Sequence, residues 1–183
     1  MHRLFVAVDL PEQVKESISA VCTGLPGAKW VDVNQLHLTL RFIGEVENGQ
    51  FNAIRESLSG IEESCFRLTL QGVGCFPSRK APRVLWVGID RNETLIRLAH
   101  KIEQCLVANG LEPEQRSFSP HITIARLKDI SPHKAADYLD KNSLFKTESF
   151  PVEEFYLYSS TLTPKGAVHR REATYPLRGG FEF

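Results

Sequence analysis

Two of the chain's six histidines stand two residues before a threonine, His37 and Thr39 in LHLTL and His121 and Thr123 in PHITI. Both triplets lie inside an apolar alternation of period two, which is the pattern of a strand. Residues i and i+2 of a strand share a face. Each histidine therefore lies beside its threonine, while Leu36, Leu38 and Leu40, or Ile122 and Ile124, point the other way. The aliphatic faces need cover, and the His/Thr faces are left to line solvent or a cleft.

Two imidazoles with no cluster of cysteines or carboxylates make a poor metal site, since structural zinc takes four protein ligands and catalytic zinc three. The chain has no GxSxG elbow, no GxxxxGK[ST] loop and no GxGxxG after a strand. The chemistry that uses two histidines and two hydroxyls without a metal or cofactor is acid–base work on a phosphodiester. One imidazole takes a proton from the attacking water and the other gives one to the departing oxygen. Displacement at phosphorus is in line, so base and acid flank it on opposite sides. The threonine hydroxyls can donate to the non-bridging oxygens as charge builds there.

The elements that must position these residues come in two similar series. LFVAV (4–8) and VLWVGI (84–89) read as strands, each followed by a helix. Val14, Ile18, Val21 and Cys22 share one helical face after Pro11; Leu95, Leu98, Ala99, Ile102 and Leu106 share another, with Gly110 as the stop. The His-x-Thr strands follow, at 36–43 and 119–127. A helix comes after each, one with the stripe Phe51, Ile54, Leu58 and Ile61, the other capped by Ser131 and Pro132 and carrying Ala135, Tyr138 and Leu139. Strands at 65–71 and 150–158 end the two series, and a further strand is expected at 168–177. GVGCFPSRKAPR (72–83), rich in Gly, Pro and basic residues, reads as a long loop between strands. The order strand, helix, strand, helix, strand is thus given twice, and His37 and His121 lie 84 residues apart.

A chain of 183 residues, 42 % hydrophobic and 24 % charged, fits one compact α+β domain over 1–183, built of approximate halves 1–75 and 82–183. Its 22 basic residues balance 22 acidic ones, so no broad field exists for gripping a nucleic-acid duplex, and such a partner has to be engaged locally. Basic residues gather at Arg79, Lys80 and Arg83 and at Arg170, Arg171 and Arg178. Cys22, Cys65, Cys75 and Cys105 form no CxxC pair and read as reduced core thiols. With no long apolar run, a cytoplasmic monomer without a membrane segment is the expectation.

HLTL (37–40) and HITI (121–124) resemble the HxTx motifs of the two-histidine phosphoesterase superfamily. Within it the chain is similar to the RNA 2′,3′-cyclic phosphodiesterases, historically called 2′-5′ RNA ligases, through RLFVAVDLP, RFIGEV, GVGCFP, PRVLWVG, SPHITIAR and LYSSTLTPKGAV. The likeness covers nearly the whole chain. It implies a bilobal duplication of a βαβαβ unit, with antiparallel sheets curved around a central cleft that holds both motifs. It implies metal-independent hydrolysis of a terminal 2′,3′-cyclic phosphate, on RNA ends or nucleosides, to a 2′-phosphomonoester, and in reverse a 2′-5′ RNA ligation. The donor role falls on His37 and the acceptor role on His121, with Thr39 and Thr123 on the phosphate; the residues alone leave open which imidazole starts as the acid.

The resemblance also points to Arg126 as a substrate contact. Strict alternation turns Arg126 away from His121, so a bulge or the strand end has to redirect it. Arg41 has the right parity with His37 and can serve instead or as well. Phe5, Phe42, Phe76 and Trp86 are candidates for base stacking but read first as core, and His169, where relatives commonly carry an aromatic residue, reads as a solvated strand residue. His2, His100 and His133 read as surface. Other readings are a phosphodiesterase acting on an ADP-ribose cyclic phosphate or on 2′-5′ oligonucleotides, a non-catalytic RNA-end binding module, and a domain whose histidines are merely packed.

Overall fold

The computed structural model describes residues 1–179; residues 180–183 of the expected domain lie outside the described residues. The chain opens with β1 (His2–Asp9), in which Leu4 to Val8 are all buried, and α1 (Glu12–Ser19). A short β2 (Lys29–Trp30) and a 3₁₀ turn over Val33–Gln35 lead into β3 (His37–Val46), the strand of the first His-x-Thr. Then come α2 (Asn48–Leu58), β4 (Phe66–Leu68) and β5 (Leu70–Ser78). The second series is β6 (Ala81–Ile89), α3 (Glu93–Ala108), β7 (His121–Arg126), α4 (Pro132–Lys141), β8 (Phe150–Val152) and β9 (Glu154–Thr163). β10 (Gly166–Pro176) follows.

The helices bury the faces their spacing marks. α3 buries Leu95, Leu98, Ala99, Ile102 and Leu106 behind an Asn92 cap that accepts from the Leu95 amide. α4 buries Ala135, Tyr138 and Leu139 behind Ser131, whose hydroxyl accepts from the Lys134 amide. α1 ends at Ser19, so Val21 and Cys22 lie beyond it, and α2 ends at Leu58, short of Ile61.

The sheets pair in the orders β10-β9-β1-β3 and β2-β7-β6-β5, with β4 and β8 as a separate ribbon. Every pairing of named strands is antiparallel. The central triplets β9-β1-β3 and β5-β6-β7 correspond. In each, the last long strand of one series pairs with the first strand of the other, so both sheets draw on both halves of the sequence.

Segment 72–83 is not a long loop. β5 runs through it and turns at Arg79 and Lys80 into β6, with Ser78 opposite Ala81. Its glycines and prolines serve the sheet itself: a Cβ at Gly74 would lie 2.2 Å from the Trp86 ring, and one at Gly88 would lie 2.6 Å from the Gln71 carbonyl oxygen. Glycine here lets the indole lie across the sheet, a role that looks like loop composition when read along the chain.

Leu38, Ile122 and Ile124 are fully buried, Leu36 and Leu40 nearly so, and all join one core with the helices. Full burial of each such side chain is worth about 1.5–3 kcal/mol. A one-residue slip of β3 or β7 would expose the whole set, which pins His37 and His121 to the opposite face.

Candidate active site

Each motif histidine is held in the same way. His37 Nδ1 lies 2.7 Å from the Gln35 carbonyl oxygen, and His121 Nδ1 lies 2.7 Å from the Ser119 carbonyl oxygen. A carbonyl only accepts, so each Nδ1 carries a proton and donates it, and each Nε2 is left for chemistry. Both rings are half-buried, as are Thr39 and Thr123 beside them. β3 and β7 belong to different sheets yet lie against each other, which brings the two motifs together.

On the first sheet Phe5 forms a floor: its ring is 4 % exposed and lies 4.9 Å from His37 and 5.2 Å, stacked, from Tyr158. His169 stands nearly perpendicular to His37 with ring centroids 5.3 Å apart. Arg171 donates to the Tyr158 hydroxyl and to Asp9, and its guanidinium lies 3.9 Å over the Tyr156 ring. Asp9 also meets Lys15 at 3.3 Å. These groups enclose a cavity of about 210 Å³ beside His37. Burial pushes His37 below the usual histidine range; the bond to the Gln35 carbonyl and the Asp9 charge oppose this, while the His169 charge adds to it. A lowered value makes the imidazolium a stronger acid toward a departing alkoxide, and an incoming phosphate anion favours its protonation. Burial likewise raises the Tyr158 phenol, which stays neutral.

On the second sheet Gly88 lies opposite His121 and Trp86 opposite Thr123. Phe76 meets His121 edge-on at 4.9 Å, and Trp86 lies 6.4 Å away. The two aromatic rings make a half-buried platform beside the second imidazole.

A matched pair of bulges decides the arginines. In β7, Thr123 pairs with Trp86 and Ala125 with Leu85, so Ile124 is an extra residue. Ile124 and Ala125 are both fully buried, and Arg126 returns exposed to the face of Thr123 and His121. In β3, Thr39 pairs with Ala7 and Arg41 with Val6, so Leu40 is extra. Here the same device defeats the parity that favoured Arg41. Its guanidinium leaves the histidine face for Glu103 of α3, at 2.5 Å, and for the Glu112 carbonyl, at 2.7 Å. Phe42, 48 % exposed, takes the position that Arg126 holds in the second motif.

His169 is a further correction: it is a half-buried wall of the cleft, not a solvated strand residue. The second basic group divides, with Arg171 in the cleft and Arg178 paired with Glu62 at 2.9 Å. Phe5, Phe42, Phe76 and Trp86 share the histidine faces, and Phe5 alone of the four is buried. Asp9, Gln35, Tyr158 and Arg171 were not singled out by sequence reasoning. Asp9 and Arg171 carried a faint signal as charges at strand ends, whereas Gln35 and Tyr158 carried none.

Among the described residues no group of three or more His, Cys, Asp or Glu side chains is gathered as a metal site, and no helix is long and apolar enough to cross a membrane.

The family model described as LigT like Phosphoesterase matches the chain twice, over residues 8–86 and 87–169. The chain is 35 % identical over 171 residues to an RNA 2′,3′-cyclic phosphodiesterase of Archaeoglobus fulgidus, covering 92 % of this chain and 96 % of that one. It is 35 % identical over 180 residues to one of Thermotoga maritima, covering 92 % and 91 %. Among solved structures it is similar to E. coli LigT complexed with 3′-AMP, with a TM-score of 0.80 at 28 % identity over 97 % of this chain and 99 % of that one.

Proposed function

From the premise that the chain belongs to the LigT-like phosphoesterase family, we propose that it hydrolyses terminal RNA 2′,3′-cyclic phosphates to 2′-phosphomonoesters. The observation that carries this is the matched pair of imidazoles on β3 and β7, each with Nδ1 tied to the carbonyl two residues before it and Nε2 free. Relatives named RNA 2′,3′-cyclic phosphodiesterase, each covering more than nine-tenths of the chain, support the substrate class.

In this reading a water gives a proton to His121 Nε2 while its oxygen bonds to phosphorus. The P–O3′ bond breaks in line with the attack, and His37 Nε2 gives its proton to the 3′ oxygen. Thr39 and Thr123 donate to the non-bridging oxygens, and Arg126 reaches the phosphate from the exposed end of the second motif. Run backwards, with a 5′-hydroxyl in place of water, the two histidines exchange roles and a 2′-5′ link forms. No metal or cofactor takes part. Both motifs come from one chain and both sheets from both halves, which supports a single domain acting as a monomer.

Product analysis tests the reaction. Adenosine 2′,3′-cyclic phosphate incubated with the protein and a chelator should give the 2′-monophosphate alone, seen by phosphorus NMR. The 3′-isomer, or turnover restricted to ADP-ribose cyclic phosphate or 2′-5′ oligonucleotides, would contradict the proposal.

The two arginines separate in a second test. Arg126→Met should lower kcat/KM by roughly ten- to a hundredfold, the worth of one charged hydrogen bond of about 1.5–3 kcal/mol. Arg41→Met should leave kcat/KM unchanged and lower the unfolding free energy by about 1–3 kcal/mol, because it strands Glu103 beside α3. Steady-state kinetics and chemical denaturation read the two effects independently.

A further inference from the structure

Acid–base chemistry leaves His169 without a task. Its imidazole stands edge-on to Phe5 at 4.9 Å and across the cavity from His37 at 5.3 Å. The ring is half-buried, yet neither nitrogen hydrogen-bonds to protein among the described residues. Polar atoms withdrawn from water are normally paired, so a ring placed this way looks for a partner in the cavity.

His169 reaches the cavity from β10, the strand at the opposite edge of the sheet from β3. The β9–β10 hairpin curls over the concave face, and the Gln35 side-chain amide donates to the Ala167 carbonyl. The Gln35 carbonyl also accepts from His37 Nδ1. One residue thus ties the hairpin that carries His169 to the histidine proposed as donor.

In-line displacement fixes what lies on this side. The 3′ oxygen protonated by His37 stays on the ribose, so the nucleoside lies on the His37 side and the water on the His121 side. The cavity there, about 210 Å³, has an aromatic floor of Phe5 and Tyr158 and the imidazole edge of His169 as its wall. An apolar floor with few polar groups at its rim suits a heterocycle, whose face stacks and whose edge hydrogen-bonds.

We infer that His169 is a specificity-determining residue that reads, by a hydrogen bond from its ring edge, the base of the nucleoside carrying the cyclic phosphate. The inference rests on the proposed hydrolysis. Burial keeps His169 below its usual range, so the neutral ring offers one donor and one acceptor.

The test compares wild type, His169→Phe and His169→Gln on the common nucleoside 2′,3′-cyclic phosphates and on methyl ribofuranoside 2′,3′-cyclic phosphate, which lacks a base. His169→Phe keeps the wall and removes both nitrogens. It should lose about tenfold in kcat/KM on the preferred nucleoside, chiefly through KM, and change by less than about twofold on the base-less ester. His169→Gln, which restores a donor and an acceptor, should recover part of the loss. Equal losses on the base-less ester would show that His169 acts on His37 or on the fold and would overturn the inference, as would no loss on any nucleoside. A wild type that turns over the base-less ester as well as the nucleosides overturns it while the proposed function stands. Failure of the wild type on every cyclic phosphate sinks both.

Discussion

His37→Ala and His121→Ala will each lower kcat for nucleoside 2′,3′-cyclic phosphate hydrolysis by at least ~10², the usual contribution of a positioned general acid or base. The structure explains why the loss is kinetic. Each imidazole is backed by a buried aliphatic residue on its own strand and joins neither hydrophobic core cluster. Each variant loses one bond from Nδ1 to a carbonyl at the edge of the cleft. The unfolding midpoints should therefore stay close to wild type. Histidines that merely pack would give the reverse, with stability falling and the residual rate per folded molecule unchanged. The double variant should be little worse than either single one, because a proton relay broken at one end gains little from the other.

The second large effect belongs to the threonines. Thr39→Val and Thr123→Val should each reduce kcat by roughly 10²-fold, the cost of removing one donor aimed at developing phosphoryl charge. Valine keeps the branched shape and suits a strand, so β3 and β7 should hold their register. Serine at either position keeps the hydroxyl and should restore most of the rate. The half-buried Thr39 and Thr123 are set beside their histidines by strand parity, which is why each hydroxyl should act at the transition state rather than in the fold. A Thr39→Val enzyme with unchanged kcat would remove the hydroxyl from the account.

Much of this site was legible along the chain because it depends on local periodicity. Leu38 and Ile122 announce the buried faces, and the His/Thr faces follow by elimination. The stripes of α2, α3 and α4 were equally plain, since each helix must bury one side. What escaped is what tertiary contacts decide. The extra residue Ile124, which returns Arg126 to the cleft, leaves a trace in the adjacent apolar pair Ile124 and Ala125. The extra residue Leu40 leaves none, because Arg41 looks like the next polar residue of the alternation until Glu103 of α3 captures it.

The β5–β6 hairpin failed for a different reason. Gly74 and Gly88 are present so that Trp86 can lie flat, and Gly and Pro in a basic stretch look the same whether they end a strand or make room inside one. His169 was missed because its place is set by an edge strand curling over the sheet, with β10 and β3 brought face to face across β1. No local pattern carries that information. The exchange of strands between the halves is invisible for the same reason.

The central claim is that two Nε2 atoms, one from each motif, act as acid and base on a single phosphate. It is tested most directly by the pH dependence of kcat/KM for a nucleoside 2′,3′-cyclic phosphate in wild type, His37→Ala and His121→Ala. A base must be unprotonated, so its action fails as pH falls; a donor must be protonated, so its action fails as pH rises. Wild type should give a bell. His121→Ala should lose the acid limb and keep the alkaline one, and His37→Ala should lose the alkaline limb and keep the acid one. A bell with both limbs intact in either variant would contradict the account.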